Sequence, residues 1–200
     1  MMIIIGLTGS IAMGKSATAK IFISFGVPVF DADSCVHELM GYNGKLVNII
    51  AREFPSAIEK KNNFKHINRS KLGNIIFKND NLKEKLEKII HPQVVKKRKK
   101  WKQEAIRKGK KIICYDVPLL FETKSEKVCD EVVVASAPLF IQRQRALKRK
   151  NMNLQKLNYI VKAQMSDAEK RKRADFIVNT GNGHRFSRNQ VKNILKILKK

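Results

Sequence analysis

The chain has 200 residues, of which 43% are hydrophobic, with 42 Lys and Arg against 17 Asp and Glu for a net charge of +25. That length suits one compact domain with insertions and a substantial core, and argues against two full domains. The charge points to anionic partners such as nucleic acid, acidic lipid or polyphosphate metabolites, although lysines scattered among Asn and Ile equally suit a compositional habit with no ligand behind it.

The first element is a short run of β-branched residues, 3–5, which reads as a buried strand ending at a glycine-bounded loop. The loop, Gly9-Ser10-Ile11-Ala12-Met13-Gly14-Lys15-Ser16, fits G-x-x-x-x-G-K-[ST]. Its glycines free the backbone so that successive N–H groups, from Ile11, Ala12 and Met13 on to Ala17, can converge on a phosphate. Lys15 brings a mobile cation to the outer phosphates, and the Ser16 hydroxyl can ligate Mg²⁺. Residues 17–25 read as a helix whose positive end faces the same anion. The competing reading is a glycine turn that merely joins strand to helix.

Residues 27–30 read as a second strand ending in Asp31-Ala32-Asp33, which completes a βαβ unit with parallel strands. Extended alternation sends both carboxylates to one face, with Asp33 further out and so the candidate base for an attacking hydroxyl. Alternatively, these acids cap a helix over residues 34–40. Residues 41–65 read as short helical pieces between Gly41, Gly44 and Pro55, and Ser70 can cap a helix to residue 77. Asn81 and Glu84 form a capping box opening a helix that His91-Pro92 should interrupt or kink. The basic run 96–100 is a solvated face by default.

Residues 112–116 make a third strand, and Asp116 at its end can hold metal-bound water. The following Pro118-Leu119-Leu120-Phe121 either walls a pocket for an uncharged part of a substrate or is core. A fourth strand covers residues 132–135. Beyond it, Gln142, Arg143, Arg145, Lys148 and Arg149 lie on a helix from which guanidinium groups can close over a triphosphate. A fifth strand, 176–179, ends at Asn179, which can read an adenine edge. Val191, Ile194, Leu195 and Leu198 mark a last amphipathic helix.

Cys35, Cys114 and Cys129 are odd in number and form no C-x-x-C pair, which argues against a disulfide framework or zinc site and for a cytoplasmic location. With no signal-peptide pattern and no apolar run near the ~18 residues of a membrane span, a soluble protein is expected.

Five motifs occur in one order: the phosphate loop, Asp31-Ala32-Asp33, Ile90-His91-Pro92, the segment from Asp116 through Pro118-Leu119-Leu120-Phe121 to Glu122, and residues 174–179. In this the chain resembles the dephospho-coenzyme A kinases over essentially its whole length. The resemblance implies an α/β P-loop kinase fold over 1–200, with a five-stranded parallel sheet, a helical coenzyme-binding insertion at 34–105, and a lid with flanking helices at 138–172. It implies transfer of the ATP γ-phosphoryl group to the ribose 3′-hydroxyl of dephospho-coenzyme A, with ATP and Mg²⁺ bound and no nucleic-acid partner. Lys15 and Ser16 match the phosphate and magnesium positions, Asp33 the base and Arg145 the lid arginine. His91, Pro92, Leu119, Leu120 and Glu122 match the acceptor side. Ser10, Ala12 and Met13 depart from a loop that is usually richer in glycine, which implies altered stiffness. A monomer is favoured. A nucleoside monophosphate kinase and an ATP-switched nucleic-acid-binding protein are the alternatives, the second disfavoured by an aromatic content of only 7%.

Overall fold

Aliphatic and β-branched residues fill Ile3–Thr8, β1, apart from Gly6, and the glycine loop after it releases the chain into α1, Lys15–Ser24. The computed structural model describes residues 2–42, 44–61, 64–77 and 79–199. In chain order there follow β2 (Val29–Asp31), α2 (Ala32–Met40), α3 (Val47–Glu53), β3 (Ile58–Lys61), β4 (Phe64–Ile67), α4 (Arg69–Phe77) and α5 (Asp80–Arg107). Then come β5 (Ile112–Asp116), β6 (Glu131–Ser136), α6 (Leu139–Leu147), α7 (Leu154–Ala163), α8 (Asp167–Lys172), β7 (Phe176–Asn179) and α9 (His184–Ile197). The chain divides into two compact units, Met1–Phe30 with Ala105–Lys200, and Asp31–Glu104.

The first unit is built on a five-stranded parallel sheet in the order β2-β5-β1-β6-β7. Central β1 pairs with β5 through Ile4↔Ile113 and with β6 through Leu7↔Val133. Both faces of the sheet are covered, so inward and outward residues alike are apolar. Ile5, Leu7 and Val133 pack with Phe22 of α1 and Val191, Ile194 and Leu195 of α9. One residue to either side, Val132 and Val134 pack on the opposite face with Leu120 and Phe121. Val191, Ile194 and Leu195 thus form the buried side of a helix docked on the sheet, as their spacing predicts.

The second unit buries Leu39, Met40, Leu46, Ile50, Phe54, Ala57, Ile67, Leu72 and Leu86. Here several local expectations are corrected. Asp31 and Asp33 do not share an extended face, because the helix begins at Ala32. Asp31 is its N-cap, taking the Ser34 N–H at 2.9 Å and the Ser34 hydroxyl at 2.9 Å, and Asp33 sits in the first turn. An Asp side chain satisfying an orphan amide outcompetes one more residue of strand. Residues 41–65 hold an antiparallel hairpin, β3–β4, besides short helices. Asn68, rather than Ser70, caps α4 by accepting from Lys71 N–H at 3.0 Å, and Asn79, rather than Asn81, does so for α5 at Leu82 N–H at 3.2 Å.

Helix α5 runs through Pro92 without a break. Leu86 is buried before the proline, and ion pairs on either side of it, Lys85 with Glu53 and Lys97 with Glu38, tie down both halves. Exposed pairs contribute only ~0–1 kcal/mol each against the roughly 3 kcal/mol an internal proline costs, so packing carries the rest. Lys97 therefore departs from the solvated default for the basic run. Among the described residues no helix is long and apolar enough to cross a membrane.

Candidate active site

The carboxyl end of β1 delivers the chain into residues 9–16, and α1 takes it away, so two rigid elements frame the loop. Its glycines are dictated by space. A Cβ on Gly9 would stand 2.6 Å from the Ala135 carbonyl oxygen, and one on Gly14, which has φ +92°, would stand 2.5 Å from Thr180 Oγ1. Ala12 adopts φ +61° without being glycine, a conformation that costs an L-residue about 1–2 kcal/mol. Its methyl group is buried with Ala146 of α6 and Leu157 of α7, against which Ile11 and Met152 pack. That burial offsets part of the backbone cost and gives a reason for alanine here.

The Lys15 ammonium donates to Asp116 Oδ1 at 2.5 Å, where Asp116 ends β5 and is only 3% exposed. Ser16 and Ala17 follow, both exposed in the first turn of α1. The N–H groups of this turn have no carbonyl four residues back within the helix and lie at its positive end. A cation, free amides and a hydroxyl thus gather at the carboxyl edge of a parallel sheet, the usual place for a ligand crevice. Such an arrangement can bind a polyphosphate and neutralise charge as a phosphoryl group moves.

Arg145 of α6 is fixed as a fork on the turn after β7, donating through Nη1 to Thr180 Oγ1 at 2.9 Å and through Nη2 to the Thr180 carbonyl at 2.8 Å. Thr180 in turn donates its hydroxyl to the Met13 carbonyl at 2.7 Å. The arginine is therefore linked to the phosphate loop through one side chain. The Ile11 peptide groups are also held: Gln142 Nε2 donates to the Ile11 carbonyl at 2.9 Å, and the Ile11 N–H donates to Gln164 Oε1 at 3.0 Å. With the Met13 N–H on the Ser10 carbonyl at 3.1 Å, the expectation that the Ile11 and Met13 amides face a phosphate is corrected, because protein acceptors already take them. Asn179 ends β7, where its Oδ1 accepts the Gly181 N–H at 3.0 Å. It lines a cavity of about 140 Å³ with Ser136, Ala137, Pro138, Arg171 and Ile177.

The segment after β5 is tied down by polar contacts. Thr8 Oγ1 donates to the Pro118 carbonyl at 2.9 Å, and the same oxygen accepts from Lys170 Nζ at 3.3 Å. Lys170 is fully buried and pairs with Glu122 at 2.9 Å, whose Oε1 also accepts the Met165 N–H at 2.9 Å. Burial pushes the Glu122 carboxyl up, but the bonds from Lys170 and Met165 prevail and hold it below its usual range. One acceptor-side expectation changes accordingly: Leu120, with no exposure, belongs to the core, whereas Glu122 holds Lys170 through Oε1 and Leu119 is 40% exposed.

Gly9, Ile11, Ala12, Met13, Gly14, Lys15, Ser16, Ala17, Arg145 and Asn179 all lie in the sheet-bearing unit. Asp33, His91 and Pro92 belong to the other; all three are exposed, Asp33 at the start of α2 and the pair midway along α5. Three further residues, Thr180, Gln164 and Lys170, were not signalled by the sequence. Thr180 carries a weak hint, a hydroxyl beside the Gly181-Asn182-Gly183 turn. Lys170 stands in a basic run whose members look alike until one is buried.

The family model for dephospho-CoA kinase matches residues 3–185. A dephospho-CoA kinase of Bartonella quintana is 45% identical over 198 residues, covering 98% of each chain. Among solved structures, a Thermus thermophilus protein superposes with a TM-score of 0.85 at 28% identity, covering 98% of each chain. The dephospho-CoA kinase of Campylobacter jejuni follows with a TM-score of 0.66 at 25% identity, covering 98% of this chain and 96% of that one.

Proposed function

The chain belongs to the dephospho-CoA kinase family, and on that premise we propose how its own residues carry the reaction. As a kinase of this family it transfers the γ-phosphoryl group of ATP to the ribose 3′-hydroxyl of dephospho-CoA, giving CoA and ADP, the last step of coenzyme A biosynthesis. The alternatives of a nucleoside monophosphate kinase or an ATP-switched nucleic-acid-binding protein are not favoured by these relatives.

The triphosphate lies on residues 9–17, with its outer phosphates against Lys15. On binding, Lys15 exchanges part of its contact with Asp116 for phosphate oxygens. Asp33 accepts the proton of the 3′-hydroxyl as its oxygen bonds to the γ-phosphorus, and the bond to the bridging oxygen breaks so that ADP leaves with the electron pair. Of the two acids at that place Asp31 is committed to capping, which favours Asp33. Arg145 and Lys15 spread the charge of the transition state. His91, Pro92 and Leu119 contact the acceptor, Asn179 the adenine, and residues 138–172 act as the lid. These are roles for an enzyme acting as a cytoplasmic monomer.

The residues present fit a magnesium ion. Ser16 supplies a hydroxyl in the first turn of α1, and Asp116 a buried carboxylate at the end of β5. Among the described residues no group of three or more His, Cys, Asp and Glu could hold a metal, which suits an ion bound by phosphate oxygens, water and one or two protein oxygens. When bound it would neutralise charge on the β- and γ-phosphates.

The observation that carries the reading is Lys15 on buried Asp116 beside the open amides of α1. The test offers the enzyme ATP and magnesium with dephospho-CoA, AMP, CMP or short RNA side by side. Transfer to dephospho-CoA alone is expected, and transfer to a nucleoside monophosphate instead would overturn it.

A further inference from the structure

Residue Ile11, at the tip of the phosphate loop, is bracketed by two glutamines that play opposite parts. Gln142 on α6 is 6% exposed and gives its amide NH₂ to the Ile11 carbonyl, whereas Gln164, which closes α7, receives the Ile11 N–H on its oxygen. Backbone partners have fixed polarity, so the orientation of each side-chain amide is dictated rather than chosen. Two consecutive peptide units are locked, the one before Ile11 by Gln164 and the one after it by Gln142.

The second of these units matters for chemistry. In a trans peptide the C=O and N–H point in opposite directions. With the Ile11 carbonyl turned toward Gln142, the Ala12 N–H is turned away from it. Positive φ at Ala12 and Gly14, separated by Met13, curls the backbone into the kind of concavity in which N–H groups converge on an anion. Of the two residues with positive φ, Ala12 is the one that is not glycine, so its left-handed conformation needs outside support. The same two helices supply that support by burying its methyl group with Ala146 and Leu157.

We propose that Gln142 and Gln164 are positioning residues for phosphoryl transfer: they fix the peptide units on either side of Ile11 so that the Ala12 N–H faces the triphosphate. They also seat α6 and α7 on the loop. The inference rests on the reading of residues 9–17 as the ATP site. It makes the nucleotide-binding loop and the proposed lid one hydrogen-bonded assembly, joined directly at Ile11 and through Thr180 at Met13.

The opposite polarity of the two contacts gives the test its signature. Gln142→Glu sets a carboxylate against the Ile11 carbonyl, repelling it and attracting the Ala12 N–H, which favours a flipped peptide with its oxygen toward the phosphates. Gln142→Met only removes a donor. Gln164→Glu keeps an acceptor for the Ile11 N–H, whereas Gln164→Met does not. Steady-state kinetics should show kcat falling ~10²-fold for Gln142→Glu, the scale of losing one preorganised donor to transition-state charge, and only ~10-fold for Gln142→Met, which loosens the peptide without reversing it. Gln164→Met should lose ~10-fold in kcat and Gln164→Glu recover most of it. The KM for dephospho-CoA should stay within ~2-fold throughout, because ground-state binding of the acceptor is not what these residues set.

Equal damage from Glu and Met at position 142, or no recovery of kcat with Gln164→Glu over Gln164→Met, would overturn the proposal. If the buried Gln142 variants do not fold, the half-buried Gln164 pair alone decides. A wild-type enzyme that phosphorylates dephospho-CoA while all four variants match it rejects the positioning role alone. A wild-type enzyme that consumes no ATP with dephospho-CoA rejects the underlying site as well.

Discussion

Removing Lys15 should cost stability as well as activity. Its side chain is 15% exposed and that of Asp116 is 4%, with 2.5 Å between Nζ and Oδ1. Lys15→Met takes the cation away and leaves the carboxylate in place at a buried strand end. Breaking a buried pair from one side costs about 3–5 kcal/mol, since the charge left behind has lost both water and its counterion. A chain of this size loses about 2–4 °C in Tm per kcal/mol, so the midpoint should fall by about 6–20 °C. Adding Asp116→Asn removes the stranded charge, and the double variant should recover to within about 2 kcal/mol of wild type. Both variants should be inactive, so stability separates them where turnover does not. The measurement is urea and thermal unfolding of wild type, both single variants and the double, in the absence of nucleotide. A Lys15→Met protein within about 1 kcal/mol of wild type, or a double variant no more stable than Lys15→Met, would refute the view that the two charges are a buried pair awaiting a phosphate.

Three other outcomes can be checked directly. Asp33→Asn should keep ATP affinity near wild type while kcat falls ~10²-fold or more; unchanged turnover would remove Asp33 from proton transfer. Arg145→Lys cannot reproduce the two-pronged contact with Thr180, so kcat/KM for ATP should drop ~10-fold or more, and a conservative result would make the fork incidental. Glu122 has a folded pKa held below its usual 4.5, so it contributes stability above that value and loses it as pH falls through the lowered folded value. The stability gap between wild type and Glu122→Gln, read by urea unfolding, should therefore be constant near neutrality and narrow below pH 4.5; a gap independent of pH down through that window would contradict the Lys170 pairing.

Much of this molecule is legible without coordinates because its strongest signals are local. The run before Gly6, the loop to Ser16 and the apolar segments ending at Asp116 and Asn179 each carry their structure in adjacent residues, and the sheet has those strands. Helix starts were less legible. Asp31, Asn68 and Asn79 each bond the third amide after them, but polar residues one to three places away compete for the same role in the sequence. Pro92 is the opposite case: the local rule against an internal proline is sound, but the helix is held on both sides of it by contacts made at a distance, the burial of Leu86 and the pairs with Glu53 and Glu38.

The candidate site divides in the same way. Residues 9–17 were evident because phosphate binding by backbone amides demands glycine and lysine at set spacings along one continuous stretch. The contacts that hold this loop in shape come from Gln142, Gln164 and Thr180, more than 100 residues away in the chain, with separations of 131, 153 and 167. Nothing about a glutamine or a threonine announces which backbone group it will meet. Sequence alone therefore pointed to the phosphate chemistry proposed at the end of β1, because short-range spacing encodes it. Tertiary structure decided which carboxylate is buried under Lys15, that Leu120 serves the core and Glu122 anchors Lys170, and how Ala12 is held in a glycine's conformation. Those outcomes depend on packing and on pairing between segments that only folding brings together.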